Sequence, residues 1–242
     1  MKERIVIIPT YNEIENIEGI IRAVMGLSIP FHAMIVDDGS PDGTGNKVRE
    51  LEQEFPNRII LEERAEKSGL GTAYIYGFKK ALDLGYAYIF EMDADFSHNP
   101  KDLVKLYEAC ANDGADVAIG SRYVTGVNVV NWPMSRVMLS YFASHYVRFI
   151  TGMPIADTTA GFKCYSRKVL EKIKLDNIKF VGYAFQIEMK FLTWKYGFNI
   201  KEVAIIFTDR TKGKSKMSKG IIKEAVFGVL QMKIWSLFQN FH

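Results

Sequence analysis

The sequence predicts an α/β fold, a largely parallel sheet with helices on both faces, and two patterns carry that prediction. The first is rhythm. Apolar runs at residues 4–9, 33–37, 58–61, 86–92 and 116–120 alternate with helix-period patterns at 13–25, 43–55, 71–84 and 100–112. Strands joined by crossover helices pair in parallel and are covered on both faces. The second is the placement of polar residues. "PTYNE" follows the first strand, "DDGSPDGT" the second and "DADFSH" the fourth, so three strand ends put acidic groups on one edge. Open α/β sheets bind ligands at that edge.

Taken in order, "RIVIIPTYN" is a strand that runs into a polar turn. "DDGSPDGT" is a strand-to-helix junction in which Gly39 and Gly43 allow conformations that side chains forbid, and Ser40 or Asp42 is placed to cap the next helix. "YAYIF" is a hydrophobic strand ending in Asp93 and Asp95. The later chain changes character, with helical patterns at 135–150, 167–173 and 185–195, the strand-like "GFKCYS", and a last strand at 200–207. We expect a catalytic domain over residues 1–210, then a mobile basic loop and an amphipathic helix over 211–242.

Composition narrows the classes. At 242 residues, 48% hydrophobic and 24% charged, the chain suits one large domain and excludes a mostly disordered protein. A net charge of +3 is too small to argue for nucleic acid, although "DRTKGKSKMSKG" is locally basic and suited to phosphates. Cys110 and Cys164 lack metal-ligand spacing, which fits a reducing, cytoplasmic setting. The first strand begins so early that it leaves no room for a secretory signal, and no stretch supplies the ~20 apolar residues of a membrane span.

Asp93 and Asp95 share a strand face, so their carboxylates repel unless a cation lies between them. Hard oxygen ligands favour Mg2+ or Mn2+, which bridge to diphosphate oxygens, whereas zinc would want more His or Cys. Simple capping of the helix near Pro100 is the alternative. "DDGSPDGT" is neither a phosphate-binding P-loop nor a dinucleotide fingerprint, and Asp37 and Asp38 are acceptors suited to base or ribose.

"PTYNE", "DDGSPDGT", "GLGTAY", "DADFSHNP", "GSRY" and "DRTKGKSK", in this order, resemble the family 2 inverting glycosyltransferases, and within them the dolichyl- and polyprenyl-phosphate mannose synthases. The resemblance spans about residues 5–217 and implies the GT-A fold, a Rossmann-like sheet. It implies GDP-mannose as donor and dolichyl or polyprenyl phosphate as acceptor. It places Pro9, Tyr11, Glu13, Val36 and Asp38 at the nucleotide, and Asp93, Ala94 and Asp95 at the metal and diphosphate. Arg122, Arg136, Arg210, Ser215 and Lys216 fall around phosphates, with Arg122, Arg136 and Ser215 on the acceptor side. Some members carry a Gln ligand where this chain has Ser97, so Ser97 is the open third metal ligand.

An acceptor hydroxyl needs a general base; an acceptor phosphate, with a second pKa near ~6, does not. Asp157 in "IADTTAGFK" is either that base or a turn residue, and the turn is the favoured reading. A glucosyl transfer from UDP-glucose, transfer to a glycan hydroxyl, and a non-catalytic nucleotide-binding subunit are the alternatives. The aromatics of 135–150 either pack in the core or line an isoprenoid groove. The tail has one stripe at Phe227, Leu230, Ile234, Leu237 and Phe241 and another at Ile222, Ala225, Val229 and Met232. One stripe docks on the domain, and the other is left for the cytosolic face of a membrane, a homodimer or a small anchoring subunit.

Overall fold

The computed structural model describes residues 2–210 and 219–241, with side chains for 3–210 and 226–241. Along the chain run β1 (Lys2–Thr10), α1 (Ile17–Met25), β2 (His32–Asp37), α2 (Thr44–Glu54), β3 (Ile59–Glu63), α3 (Leu70–Asp83), β4 (Tyr86–Glu91) and α4 (Asp102–Ala111). They are followed by β5 (Val117–Ser121), β6 (Val129–Val130), α5 (Met134–Thr151), β7 (Lys163–Ser166), α6 (Arg167–Lys172), α7 (Tyr183–Lys195), β8 (Ile200–Ala204), β9 (Phe207–Thr208) and α8 (Lys219–Ser236).

The main sheet has the order β3-β2-β1-β4-β7-β5-β8. All pairings are parallel except those of β7, which runs antiparallel between β4 and β5. "GFKCYS" is therefore a central strand, entered from the edge where the other strands end. The expected last strand is two: β8 finishes the sheet, and β9 leaves it to pair with β6.

Alternation along β1 shows how the sheet is covered. Ile5 and Ile7 pack with Tyr74 and Phe78 of α3 and with α7. Val6 and Ile8 pack on the opposite face with Ile17, Ile20 and Ile21 of α1 and Leu103 of α4. Both faces are apolar because both are buried. Gly71 of "GLGTAY" permits the close approach of α3 to α7, since a Cβ there would lie 2.8 Å from the Phe185 ring.

Candidate active site

At the ends of β1 and β2 the two loops are stitched together by the polar residues of "DDGSPDGT". Asp37, buried, accepts from Thr10 Oγ1 (2.7 Å), from Ser40 Oγ (2.6 Å) and from Ser40 N–H (2.9 Å). Ser40 Oγ accepts the Asn12 N–H, and Asp42 accepts those of Ile14 and Thr44. Ser40 and Asp42 thus brace the first loop against the second, and only Asp42 also reaches the start of α2. Gly39 at φ 69° makes the turn, with its Cβ position 3.1 Å from the Ala65 carbonyl.

This edge opens into a cleft of about 740 Å3 whose walls include Pro9, Tyr11, Glu13, Asp38, Ala94 and Asp95. Asp38 is not a free acceptor: the Arg64 guanidinium grips it through Nε (2.7 Å) and Nη2 (2.9 Å), and Arg64 is steadied by Thr72 (3.0 Å). Lys67 lies 4.8 Å over the Tyr11 ring. Neither cation was anticipated from sequence, because "EERAEKSG" reads as an ordinary solvated loop. Val36 differs from the other residues expected at the nucleotide. Strand alternation turns its side chain into the core beside α3, fully buried, and not into the cleft.

Asp93 and Asp95 do not sit on a strand face as expected: β4 ends at Glu91, and both acids lie in the loop that follows, where both reach the cleft. Tyr74, from "GLGTAY", donates to Asp93 at 3.3 Å. Asp95 accepts the Ser97 N–H at 3.0 Å and pairs with Arg210 at 2.8 Å. Arg210 is brought there by β9, where the Thr208 N–H bonds the Ser97 carbonyl. The carboxylates are held unequally. Burial, then repulsion from Asp95, pushes Asp93 up to about 7; burial also opposes Asp95's charge, but the hydrogen bonds of Ser97 and the charge of Arg210 keep it below the usual range. His98, stacked on Phe162 at 4.9 Å, is lowered to about 4, chiefly by burial. Ser97 is buried and braces Asp95.

The sign of the pH effect follows. A carboxyl whose folded pKa lies above its unfolded ~3.9 adds stability that is complete below that value and is lost as pH rises through about 7. His98, lowered, acts oppositely below its unfolded ~6.5. The difference between wild type and Asp93→Asn isolates the first effect: relative to wild type, the variant should gain thermal stability as pH rises from about 4 to about 7. Parallel Tm curves across that window would contradict the elevated carboxyl.

Arg122 lines the cleft. Its Nε and Nη2 bond the two oxygens of Asp157 (2.7 and 2.6 Å), its backbone N–H bonds Asp157 again (2.9 Å), and Nη2 bonds Thr159 (2.8 Å). The rings of Tyr123, Trp132 and Phe207 surround it at 5.2–5.5 Å. This corrects the favoured reading of Asp157: it is no simple turn residue but the fully buried counter-ion of Arg122. Burial opposes its charge, yet Arg122 holds its pKa below the usual range, so it is a poor base. Arg136 stacks 4.2 Å over Trp132 and pairs with Asp209 at 2.8 Å. Arg122, Arg136 and Arg210 all reach the cleft. Ser215 and Lys216 lie outside the described residues.

Behind this edge lies a buried polar layer that sequence reading missed. Lys163 of β7 pairs with Glu91 of β4 (3.2 Å) and donates to Gln186 of α7, which in turn donates to Glu91 (2.7 Å). "GYAFQIEMKF" held the signal: polar residues in a helix whose apolar residues occupy every face, and Ala184 through Thr193 are all buried.

The cleft also has an apolar wall, formed by Leu139, Phe142, Tyr146, Ile187 and Val226 of α5, α7 and α8. Tyr146 joins α5 to α8 through the Val226 carbonyl at 3.0 Å. The tail divides its stripes as expected among the described side chains: Val229 and Met232 are buried, and Phe227, Leu230, Ile234 and Leu237 are exposed. Phe241 departs, packing on Tyr196 (5.3 Å). Phe149 of α5 and Phe238, just past α8, are also bare, at 87% and 84% exposure. No helix among the described residues is long and apolar enough to cross a membrane.

The family model for "Glycosyl transferase family 2" matches residues 5–174, more than half of the chain. The chain belongs to glycosyl transferase family 2. This family 2 transferase is 48% identical over 230 residues to a polyprenol monophosphomannose synthase of Mycolicibacterium smegmatis, covering 95% of this chain and 86% of the relative. To an undecaprenyl-phosphate mannosyltransferase of Micrococcus luteus it is 45% identical over 231 residues, covering 96% and 93%. Among solved structures, glucosyl-3-phosphoglycerate synthase of Mycobacterium tuberculosis bound to UDP superposes with a TM-score of 0.69 at 15% identity, over 96% of this chain and 80% of that one. A Pyrobaculum calidifontis mannosyltransferase in complex with GDP-Man and Mn2+ gives 0.58 at 16%, over 98% and 75%. The family 2 transferase thus has the GT-A fold that the motif order implied.

Proposed function

We propose that this transferase moves mannose from GDP-mannose to the phosphate of a polyprenyl phosphate, at the cytosolic face of a membrane. The observation that carries the reading is one cleft with two chemistries: braced acids at the sheet edge and apolar walls from α5, α7 and α8, with three arginines also in its lining. The names of the two bacterial relatives supply the sugar and the class of acceptor.

The chemistry asks little of the protein beyond placement. An acceptor phosphate oxygen attacks the anomeric carbon as the bond to the nucleoside diphosphate breaks, and the electron pair leaves with the diphosphate. No proton has to be removed, because a phosphate monoester is already ionised at neutral pH. Arg122 and Arg136 would hold the acceptor anion against the donor despite mutual repulsion, and planar guanidinium forks suit that task. Asp157, with both oxygens on Arg122, fits a reaction without a base.

The residues present fit Mg2+ or Mn2+. Among the described residues no three His, Cys, Asp or Glu side chains cluster as a full metal site. Two carboxylates completed by phosphates and water are, however, the usual way Mg2+ is held. A cationic Arg210 already sits on Asp95. Asp93 and Asp95 would hold the ion, which supplies charge neutralisation for the departing diphosphate. Ser97 braces Asp95 in this reading.

Incubation with Mn2+, undecaprenyl phosphate and one sugar nucleotide at a time, with the lipid product weighed, tests the reaction. GDP-mannose should give the hexosyl lipid. Preference for UDP-glucose, transfer to a glycan hydroxyl, or nucleotide binding without transfer would each replace the reading.

The bare face of α5 and α8 supports contact with the lipid headgroup region. Replacing Phe227, Ile234 and Leu237 by serine should shift the protein from the pellet to the supernatant in sedimentation with anionic liposomes, with the fold retained by circular dichroism. Unchanged sedimentation would leave the face to a second copy or an anchoring subunit.

A further inference from the structure

We propose that Lys190, on α7 and outside the cleft, is a positioning residue for Arg122, acting through the backbone of residues 157–160. The inference rests on Arg122 being the cation for the acceptor phosphate.

Lys190 is buried, and its ammonium donates to the carbonyls of Ala160 (2.6 Å), Thr158 (3.0 Å) and Gln186 (3.1 Å). It has no ion pair among the described residues. Burial, with Lys163 nearby, drives its pKa well below the ordinary value, while the charges of Asp157 and Glu91 favour the charged form, and the three carbonyls accept its hydrogen bonds. Such a group is costly to bury, and here its hydrogen bonds converge on one segment.

That segment is gripped from two sides. Glu202 of β8 accepts the N–H groups of Ala156 (2.7 Å) and Asp157 (2.9 Å), and Lys190 takes the carbonyls that follow. Between these grips, the side chains of Asp157 and Thr159 hold the Arg122 guanidinium. Thr158 and Ala160 are buried, so without Lys190 their carbonyls would lose a donor that water cannot readily replace. The segment would have to shift, and Thr159 and Asp157 would carry Arg122 with it. Displacement by 1 Å can cost ~10²-fold at a reacting centre.

Lys190→Met removes the donors while keeping an unbranched chain one atom shorter; Lys190→Gln keeps a shorter amide donor and serves if the first variant does not fold. Two readouts are needed: steady-state kinetics with GDP-mannose and a short-chain polyprenyl phosphate, and 15N NMR of the Arg122 Nε–H, assigned with Arg122→Lys. Wild type should show hindered rotation of the guanidinium. The variants should show freer rotation and a rise of about 10-fold in acceptor KM, at an unchanged KM for GDP-mannose. A purely structural lysine would lower Tm and the active fraction and leave both readouts alone. Folded variants with wild-type rotation and wild-type acceptor KM would overturn the proposal. If wild type transfers no mannose to polyprenyl phosphate, the functional reading fails, and the rotation of Arg122 still decides the positioning.

Discussion

Asp95→Asn is expected to cut mannose transfer by ~10²- to 10³-fold, the loss that follows when one preorganised electrostatic group is taken from a reacting centre. Asparagine keeps the size of the side chain and can still accept the Ser97 N–H, so the loop after β4 should hold its shape. It removes the charge that pairs with Arg210 and half of the carboxylate set proposed to hold a divalent ion. Affinity for Mn2+ in the presence of GDP should fall together with the rate. Affinity for GDP without metal should fall little, since the braced loops of Asp37 and Asp38 are untouched. Ser97→Ala should be much milder, because the backbone N–H bond to Asp95 survives. An Asp95→Asn enzyme with the rate and metal dependence of wild type would remove the carboxylates from the reaction.

Arg122→Met is expected to lose transfer and also to destabilise the fold by about 3–5 kcal/mol, because Asp157 would be left charged, buried and unpaired. The second substitution tests the cause. Adding Asp157→Leu removes the stranded charge, and the double variant should recover much of the stability while remaining inactive, measured by urea denaturation and by lipid product. Recovery of activity with the double variant would mean that the pair is structural only. Asp157→Asn alone separates counter-ion from base. A counter-ion loss raises acceptor KM and leaves the shape of the pH–rate profile; loss of a base would remove its acidic limb.

These residues also show where sequence reading stops. Asp93 and Asp95 were legible as acids placed where an apolar run stops, although β4 ends at Glu91 and the loop after it, not strand alternation, brings both to the cleft. Arg210 was legible only through the order of motifs, since nothing local says that β9 will leave the main sheet and bring Arg210 onto Asp95. Val36, next to the loop in sequence, has its side chain turned into the core by its place on the strand.

Asp157 and Lys190 are the clearest contrast. Among small and polar neighbours, "ADTTAG" looks like a turn, and nothing local to the lysine in "QIEMKF" says which carbonyls it will meet. Arg122 and Asp157 meet across 35 residues because β5 and β7 are sheet neighbours, and Lys190 arrives from a helix buried on all sides. The sequence alone determined the alternating α/β plan, the edge that carries the ligands and the acids on it, because these depend on periodicities of a few residues. Only the tertiary structure decided which charges neutralise one another, since a buried charge takes its partner from whatever the packing places beside it.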